Sequence, residues 1–390
     1  MKHSKISVGL DIGTTKIVAM VGDRNEFGKV EILGIGKSKS LGVHRGVVNN
    51  ITQTIQSIQQ AVEEAKVVSG QEIDEVVVGI AGQHIRSLQH SDYITRTNAQ
   101  EVISQEDVER LIQQVYKLVM LPGEEIIHVL PQEYKVDGQA EIKEPIGMYG
   151  GRLEANFHVV VGQVSSIKNI GRCVKSAGLS MGNITLEPLA SSEAVLSQEE
   201  KEAGVALIDI GGGTTEVAVI SLAGIVYSDS ARIGGDKMDD SITEYIKQKY
   251  NLLIGERTAE EIKINIGSAY IKEDPKSYEV RGRDLVTGIP KTLILGEEEI
   301  LEALSDVCAQ IVKTIRNALE STPPELAADI VDRGIVMAGG GSLLSGMDDL
   351  LRQEVGLPIF LADDPLTSVA IGTGKVLDEI DLLATIELAS

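Results

Sequence analysis

Two stretches of this chain, 198 positions apart, place one aspartate at the end of an apolar run and follow it with a turn of glycine and threonine. The first reads Val8-Gly-Leu-Asp11-Ile-Gly13-Thr14-Thr15-Lys16 before Ile-Val-Ala-Met20. The second reads Ala206-Leu-Ile-Asp209-Ile-Gly211-Gly212-Gly213-Thr214-Thr215 before Glu-Val-Ala-Val-Ile220. Glycines let backbone N–H groups approach a ligand closely, and threonine hydroxyls add donors, so each turn can cradle phosphate oxygens. The aspartate supplies the complementary part. A carboxylate beside a phosphate turn can hold Mg²⁺ through the ion's own waters, because magnesium gives up its hydration reluctantly. A single copy would pass for an ordinary hairpin turn. Recurrence at this distance points instead to two lobes gripping one phosphorylated ligand.

Two further glycine clusters suit the same ligand. Ile335-Val-Met-Ala-Gly339-Gly340-Gly341-Ser342 reads as a buried strand entering a glycine turn and then a helix, leaving bare backbone against which an adenine and ribose could lie. Gly234-Gly235-Asp236 precedes another helix and could reach the phosphates or ribose in the same way, with a weaker signal.

Strands and helices must position these turns. Each hairpin is an apolar strand, a tight turn and a second apolar strand. After the first, Asn50 caps a helix whose Ile51, Ile55, Ile58 and Val62 share one face and which ends near Gly70. Val76–Ile80 follows as a buried strand, and alternation of strands with helices marks an α/β lobe. The block 84–163 interrupts this lobe with its own helix, Ser104 to Met120, opened by a capping box at Ser104 and Asp107, and with strands at 126–136 and 156–162. The lobe resumes with a helix from Ser165 to Ala177. In the second half, 236–292 interrupts a frame of 204–235 and 293–390. A helix over 297–319 carries Ile300, Leu304, Val307, Ile311, Ile315 and Leu319 on one face and stops before Pro323-Pro324. The organisation is therefore 1–83 with 164–203, an insertion at 84–163, 204–235 with 293–390, and a small subdomain at 236–292.

Composition bounds the function. A chain of 390 residues exceeds one hydrophobic core, and 43% apolar with 24% charged residues describes an ordinary globular protein. A formal charge of −22 excludes broad contact with a nucleic-acid backbone. Cys173 and Cys308 lie in apolar helical stretches and read as buried thiols in a reducing cytoplasm. His3, His44, His84, His90, His128 and His158 lack zinc-site spacing, and no Gly-x-Ser-x-Gly or Cys–His arrangement appears, so hydrolytic protease and metalloenzyme readings find no support. Residues 1–5 are too short for a signal peptide, and no apolar run approaches a membrane span.

Five segments together resemble the actin superfamily: the turns at 11–16 and 209–215, connecting helices at 187–196 and 369–377, and an adenosine turn at 339–344. The resemblance implies an actin-like ATPase fold, the duplicated ribonuclease H-like α/β architecture, with two lobes around a nucleotide cleft. Sugar kinases and DnaK-type chaperones share this set, so the insertions decide the subfamily. Up to about residue 200 the chain is similar to FtsA-like division proteins, in Gly9-Leu-Asp-Ile-Gly-Thr-Thr-Lys16, Ile127-His-Val-Leu-Pro-Gln-Glu-Tyr134 and Arg152-Leu-Glu154, with 84–163 as the FtsA-type subdomain. From about 204 it is similar to MreB-like shape-determining proteins, in Arg257-Thr-Ala-Glu-Glu-Ile-Lys263, Arg281-Gly-Arg-Asp-Leu-Val-Thr287, Pro324-Glu-Leu-Ala-Ala-Asp-Ile-Val-Asp-Arg333 and Asp364-Pro-Leu-Thr367. The chain reads as a hybrid of the two, joined near the second phosphate turn.

Carried over residue by residue, the resemblance implies that Thr14, Thr15, Lys16 and Gly211 to Thr214 bind the phosphates of ATP or ADP, with Asp11 and Asp209 supporting Mg²⁺. It implies ribose contacts from Glu260 and Lys263 and adenosine contacts from Gly339, Gly340 and Gly341. Glu187, just before Pro188, matches the position that orients an attacking water, although a carboxylate at a helix start is also favoured by the helix dipole alone. The implied function is a filament-forming, weakly ATP-hydrolysing cytoskeletal protein of division or cell shape, whose partners are further copies of itself and machinery met through 84–163. A non-polymerising scaffold and a small-molecule kinase on the same fold are the alternatives. The acidic end, 378–390, lacks the basic amphipathic helix of FtsA-like chains, and the small subdomain that in FtsA meets the tubulin homologue FtsZ is here MreB-like. Neither autonomous membrane binding nor FtsZ binding is implied. The expected location is the cytoplasm, reaching the inner face of the membrane only through partners.

Overall fold

The computed structural model describes residues 6–376 apart from 25–29, 45, 83, 222–223 and 271–273. The expectation about the acidic end therefore lies outside the described residues.

The two hairpins build two sheets of the same design. In the first, Ile6–Ile12 pairs antiparallel with Lys16–Arg24, which pairs with Val30–Lys39. On its other side Ile6–Ile12 runs parallel to Glu75–Ile80, and that strand runs parallel to Ser180–Leu186. In the second, Val205–Ile210 pairs antiparallel with Thr215–Ser221, which pairs with Gly224–Ala231, and runs parallel to Ile335–Ala338 and beyond it Ile359–Leu361. Both sheets thus have five strands in corresponding order. Near-continuous burial of Ile6–Ile12, Val205–Ile210 and Ile335–Ala338 reflects strands covered on both faces.

Helices cover these faces for local reasons. Asn50 accepts the Gln53 N–H at 3.1 Å to start Ile51–Ser69, and Gly70, at φ 68°, ends it in the left-handed region. The helix lies against the strand Val30–Lys39 so closely that a Cβ on Gly36 would collide with the Ala61 carbonyl. Glu297–Glu320 buries Ile300, Leu304, Val307, Ile311 and Ile315 under the second sheet, with Cys308 also buried. Ala318 completes that face, and Leu319 is only partly buried. The helix opened by Ser104 spans Gln105–Val115 and is shorter than its sequence pattern predicts. Past Val115 the bonds tighten to Lys117 N–H with Gln114 O and Leu118 N–H with Val115 O, and Pro122-Gly123 then turns the chain.

The insertion is a four-stranded antiparallel sheet, ordered Ile85–Thr95, Arg152–Gln163, Glu124–Val136 and Gln139–Ile142, with its own core around Phe157, Leu111 and Leu153. A second small sheet, Leu252–Leu253, Ser277–Asp284 and Pro290–Gly296, packs with helices Gly235–Tyr250 and Glu256–Ile266. Its last strand runs to Gly296, so this unit extends past residue 292. One apolar cluster continues from the first lobe into the second, taking in Leu10, Val78 and Leu186, then Leu207, Ala218 and Val336. Two helices, Glu187–Val195 and Ser368–Val376, cross between the sheets at backbone contact: a Cβ on Gly372 would collide with the Ala190 carbonyl.

Candidate functional site

The loops between paired strands are equal in length. Ile12 pairs with Ile17 and Ile210 with Thr215, so Gly13-Thr14-Thr15-Lys16 and Gly211-Gly212-Gly213-Thr214 occupy equivalent positions. They meet across a cavity of about 750 Å³, where a Cβ on Gly212 would collide with the Thr15 side chain. That volume suits a nucleotide-sized ligand. Asp11, Gly13, Thr15, Lys16, Glu187, Asp209, Gly211, Gly212, Thr214, Gly235, Glu260, Lys263 and Gly339 to Gly341 all line it. Thr14 and Gly213 do not. The Thr14 hydroxyl accepts the Gly46 N–H at 3.0 Å, which fixes the back of the first turn, and Gly213 is buried.

The second turn is fastened from behind. Gly235 N–H donates to Gly211 O at 3.0 Å and Asp236 N–H to Gly212 O at 2.8 Å, so the start of Gly235–Tyr250 holds the turn in place. Lys263 Nζ donates to Gly235 O at 3.1 Å and to Asp239 Oδ2 at 2.8 Å, bringing Glu256–Ile266 to the same wall. Gly339, at φ 81°, occupies a position where any side chain would meet Asp209 Oδ1 and Ile210 O. Backbone of the 3₁₀ turn Gly340–Leu343 is thereby exposed to the cavity.

Four carboxyls gather beneath the turns. Burial pushes Asp11 up to about 7, with repulsion from Asp209 adding to it and Lys16 opposing it. Burial likewise raises Asp209 to about 6, against a hydrogen bond from Ser191 and the charge of Lys16. Glu187 is held well above the ordinary glutamate range by burial and by Asp11, Glu216 and Asp209. Glu216 reaches about 8, from burial and the Asp209 charge. Among the described residues Lys16 acts as a cation on Asp11 and Asp209; its Nζ donates to Leu366 O, and burial lowers its own pKa. Such a cluster is relieved by a bound cation. Among the described residues no three side chains are set to ligate an ion directly; the carboxylate donors Asp11 and Asp209 are of the type that holds a hydrated divalent ion through its waters.

Sequence reasoning missed Glu216, Asp239 and Ser191. Glu216 is an acid in the otherwise apolar run Thr215–Ser221 and is only 4% exposed, a signal present in the sequence. Asp239 becomes recognisable only through its pairing with Lys263. Ser191 is fully buried one helical turn after Glu187 and donates to Asp209 Oδ2 at 3.2 Å, tying the connecting helix to the second lobe.

Two matched sheets, crossing helices and a shared cleft define an actin-like two-lobed protein. The MreB/Mbl protein family model matches residues 156–385, and the model of the SHS2 domain inserted in FtsA matches 82–161. The cell division protein FtsA of Pseudomonas aeruginosa is 36% identical over 361 residues, covering 93% of this chain and 84% of that protein. The cell shape-determining protein MreB of Escherichia coli is 51% identical over 196 residues, half of this chain, and the match spans 56% of that MreB. Among solved structures, MreB5 of Spiroplasma citri bound to ADP aligns over 96% of this chain and 97% of its own, at 23% identity and a TM-score of 0.64. This chain belongs to the bacterial actin-like family of FtsA and MreB/Mbl. The two likenesses overlap rather than abut, since the FtsA match covers nearly the whole chain and the MreB/Mbl model begins at residue 156.

Proposed function

We propose that the chain binds ATP or ADP with Mg²⁺ in the interlobe cleft and assembles with further copies of itself into filaments serving cell division or cell shape. The observation that carries the reading is the pair of equal turns, Gly13 to Lys16 and Gly211 to Thr214, meeting across one cavity. Backbone N–H groups of both turns, with Lys16, would hold the phosphates. Asp11 and Asp209 would hold a hydrated Mg²⁺, which supplies charge neutralisation at the phosphates. Lys263 and Glu260 line the wall where the ribose would lie, and Gly339 to Gly341 the wall for the base. Glu187 would hold a water by accepting its proton, a task suited to a carboxyl whose proton affinity has been raised.

Self-association is supported by family membership and by apolar surface. On the hairpin of the small sheet, Val286 is 80%, Ile289 62% and Ile294 73% exposed, a pattern that marks contact surfaces. Among the described residues no helix is long and apolar enough to cross a membrane. Sedimentation and negative-stain imaging with ATP, ADP or no nucleotide test the proposal, beside Asp209→Ala. Nucleotide-dependent filaments lost in the variant are expected. Nucleotide binding without polymer would favour the scaffold reading, and phosphorylation of a small molecule in a coupled assay the kinase reading.

A further inference from the structure

The inserted sheet is covalently part of the first lobe, yet it also holds the second. By register, Ser87 lies beside Val160 and His128, and Gln89 beside His158, so one face of the insertion carries these polar groups together. That face meets the strand Gly224–Ala231, the edge of the second lobe's sheet. Ser87 Oγ and Ser228 Oγ are 2.7 Å apart, Gln89 Nε2 donates to Val226 O at 2.6 Å, and Gln132 Nε2 donates to Ile225 O at 2.9 Å. His158 meets the backbone of the same Val226, whereas His128 meets that of Ile184 in the first lobe.

Both contacted strands lead into the cleft. Ser180–Leu186 runs directly into Glu187. Gly224–Ala231 runs through Arg232 and Ile233 to Gly234 and Gly235, and Gly235 N–H is bonded to the second phosphate turn. The seam differs in kind from the cores around it. His84, near Arg232, and the Nε2 atoms of His128 and His158 are buried without a protein hydrogen-bond partner among the described residues. Buried polar groups left in this way require an explanation, and a contact that must re-form in more than one arrangement is a physical one. Close-packed apolar faces resist sliding, but side-chain amides on main-chain carbonyls can exchange partners.

We infer that the 84–163 insertion is a clamp across the two lobes, so that its position and the closure of the cleft are coupled through Ser87, Gln89 and Gln132 on the strand Gly224–Ala231. The inference rests on the cleft being the nucleotide site, and it reaches beyond that reading: whatever engages the insertion alters nucleotide affinity, and nucleotide alters the affinity of that engagement by the same factor.

A Ser87→Cys/Ser228→Cys double variant of the full chain tests this, since the two hydroxyls lie within disulfide reach and Cys173 and Cys308 are buried. Release of a fluorescent ADP analogue should slow roughly tenfold on oxidation, within the usual range of allosteric coupling, and recover on reduction. Gln89→Ala/Gln132→Ala should speed release. Amide exchange in Gly211–Thr215 supplies a readout without nucleotide, and it should slow in the cross-linked protein. Failure of the disulfide to form overturns the clamp, as does a formed disulfide that changes neither release nor exchange. Absence of ADP binding in the wild type would overturn the nucleotide reading instead, while the exchange measurement still decides the clamp.

Discussion

Asp209 and Glu216 lie directly opposite each other on the antiparallel strands Val205–Ile210 and Thr215–Ser221, both nearly inaccessible to water. Like charges in opposed positions repel, and burial makes the repulsion strong. The equivalent pair in the first lobe is Asp11 and Val18, so the second hairpin carries an acid where the first carries an apolar side chain. The Glu216 carboxyl receives hydrogen bonds from the Thr214 side chain and from the Ser230 hydroxyl, the latter at 3.1 Å, yet burial and the Asp209 charge outweigh them and push it up to about 8.

Glu216→Gln should therefore stabilise the nucleotide-free protein at pH 8, by on the order of 2 kcal/mol, because it removes a buried carboxyl that burial pushes up to about 8. Urea unfolding at pH 8 checks this. Equal or lower stability in the variant would show that the carboxylate is compensated in solution.

Stability should depend on pH in two opposite ways. Asp11 at about 7, Asp209 at about 6 and Glu216 at about 8 all lie above their unfolded values, so the folded state takes up protons first and gains stability as pH falls from about 8 to about 4, where the unfolded carboxyls protonate as well. His128 and His158 are pushed down to about 4 by burial, so below about 6.5 the unfolded chain takes up protons that the folded chain cannot. They remove stability between 6.5 and 4, by on the order of 3 kcal/mol each at the limit. Thermal unfolding across pH 4 to 8 should show stability rising steeply as pH falls from 8 to about 6.5 and more gently below that, where the two histidines offset most of the gain from the three carboxyls. Histidine-to-glutamine variants should steepen the acid side, and Glu216→Gln should flatten the alkaline side.

The legible part of the fold was the part with local repetition. Asp-Ile-Gly followed by threonine appears twice because both hairpins need the same acid and the same bare turn, and the helix stripe at Ile300 to Ile315 follows from periodicity. Matching the letters suggests aligning Thr14-Thr15 with Thr214-Thr215, but pairing registers make the loops equal, which sets Lys16 opposite Thr214 and Val18 opposite Glu216. A two-residue shift of this kind keeps each side chain on the same face but changes which residue stands at each position, and only strand pairing decides it. Asp239 with Lys263 and Ser191 with Asp209 are tertiary pairs between separate elements, so no spacing rule could reveal them.

ATP should raise the unfolding temperature more with Mg²⁺ than with a chelator, by an amount that grows with ligand concentration over Kd. Asp209→Asn and Asp11→Asn should abolish the Mg²⁺-dependent increment and keep part of the metal-free ATP effect. Lys16→Ala should lose most of both, since its ammonium acts on both Asp11 and Asp209. A full Mg²⁺ increment in both aspartate variants would remove these residues from the metal site.

Glu187→Gln preserves shape and hydrogen bonding while abolishing proton acceptance. It should lower ATP turnover at least about 100-fold with ATP affinity changed little, as expected for a general base. Affinity and turnover falling together would instead mark Glu187 as a packing residue of the connecting helix.

Two glycine substitutions separate conformational from steric need. Gly70 has φ 68° with open space around its Cβ position, so Gly70→Ala should cost about 1 kcal/mol, the strain of the left-handed backbone alone. Gly372 sits where Ser368–Val376 crosses Glu187–Val195, and any Cβ there collides with the Ala190 carbonyl, a backbone atom that a rotamer change cannot move. Gly372→Val should therefore cost about 3 kcal/mol, the upper end of what overpacking a core typically costs. Separation of the helices would also carry Glu187 away from Asp11 and Asp209, so a milder Gly372→Ala should weaken Mg²⁺-dependent nucleotide binding even where the chain still folds. Unfolding and nucleotide titration on the same samples test both parts. A Gly372→Ala protein that binds nucleotide normally would show that the crossing helices do not set the geometry of the cleft.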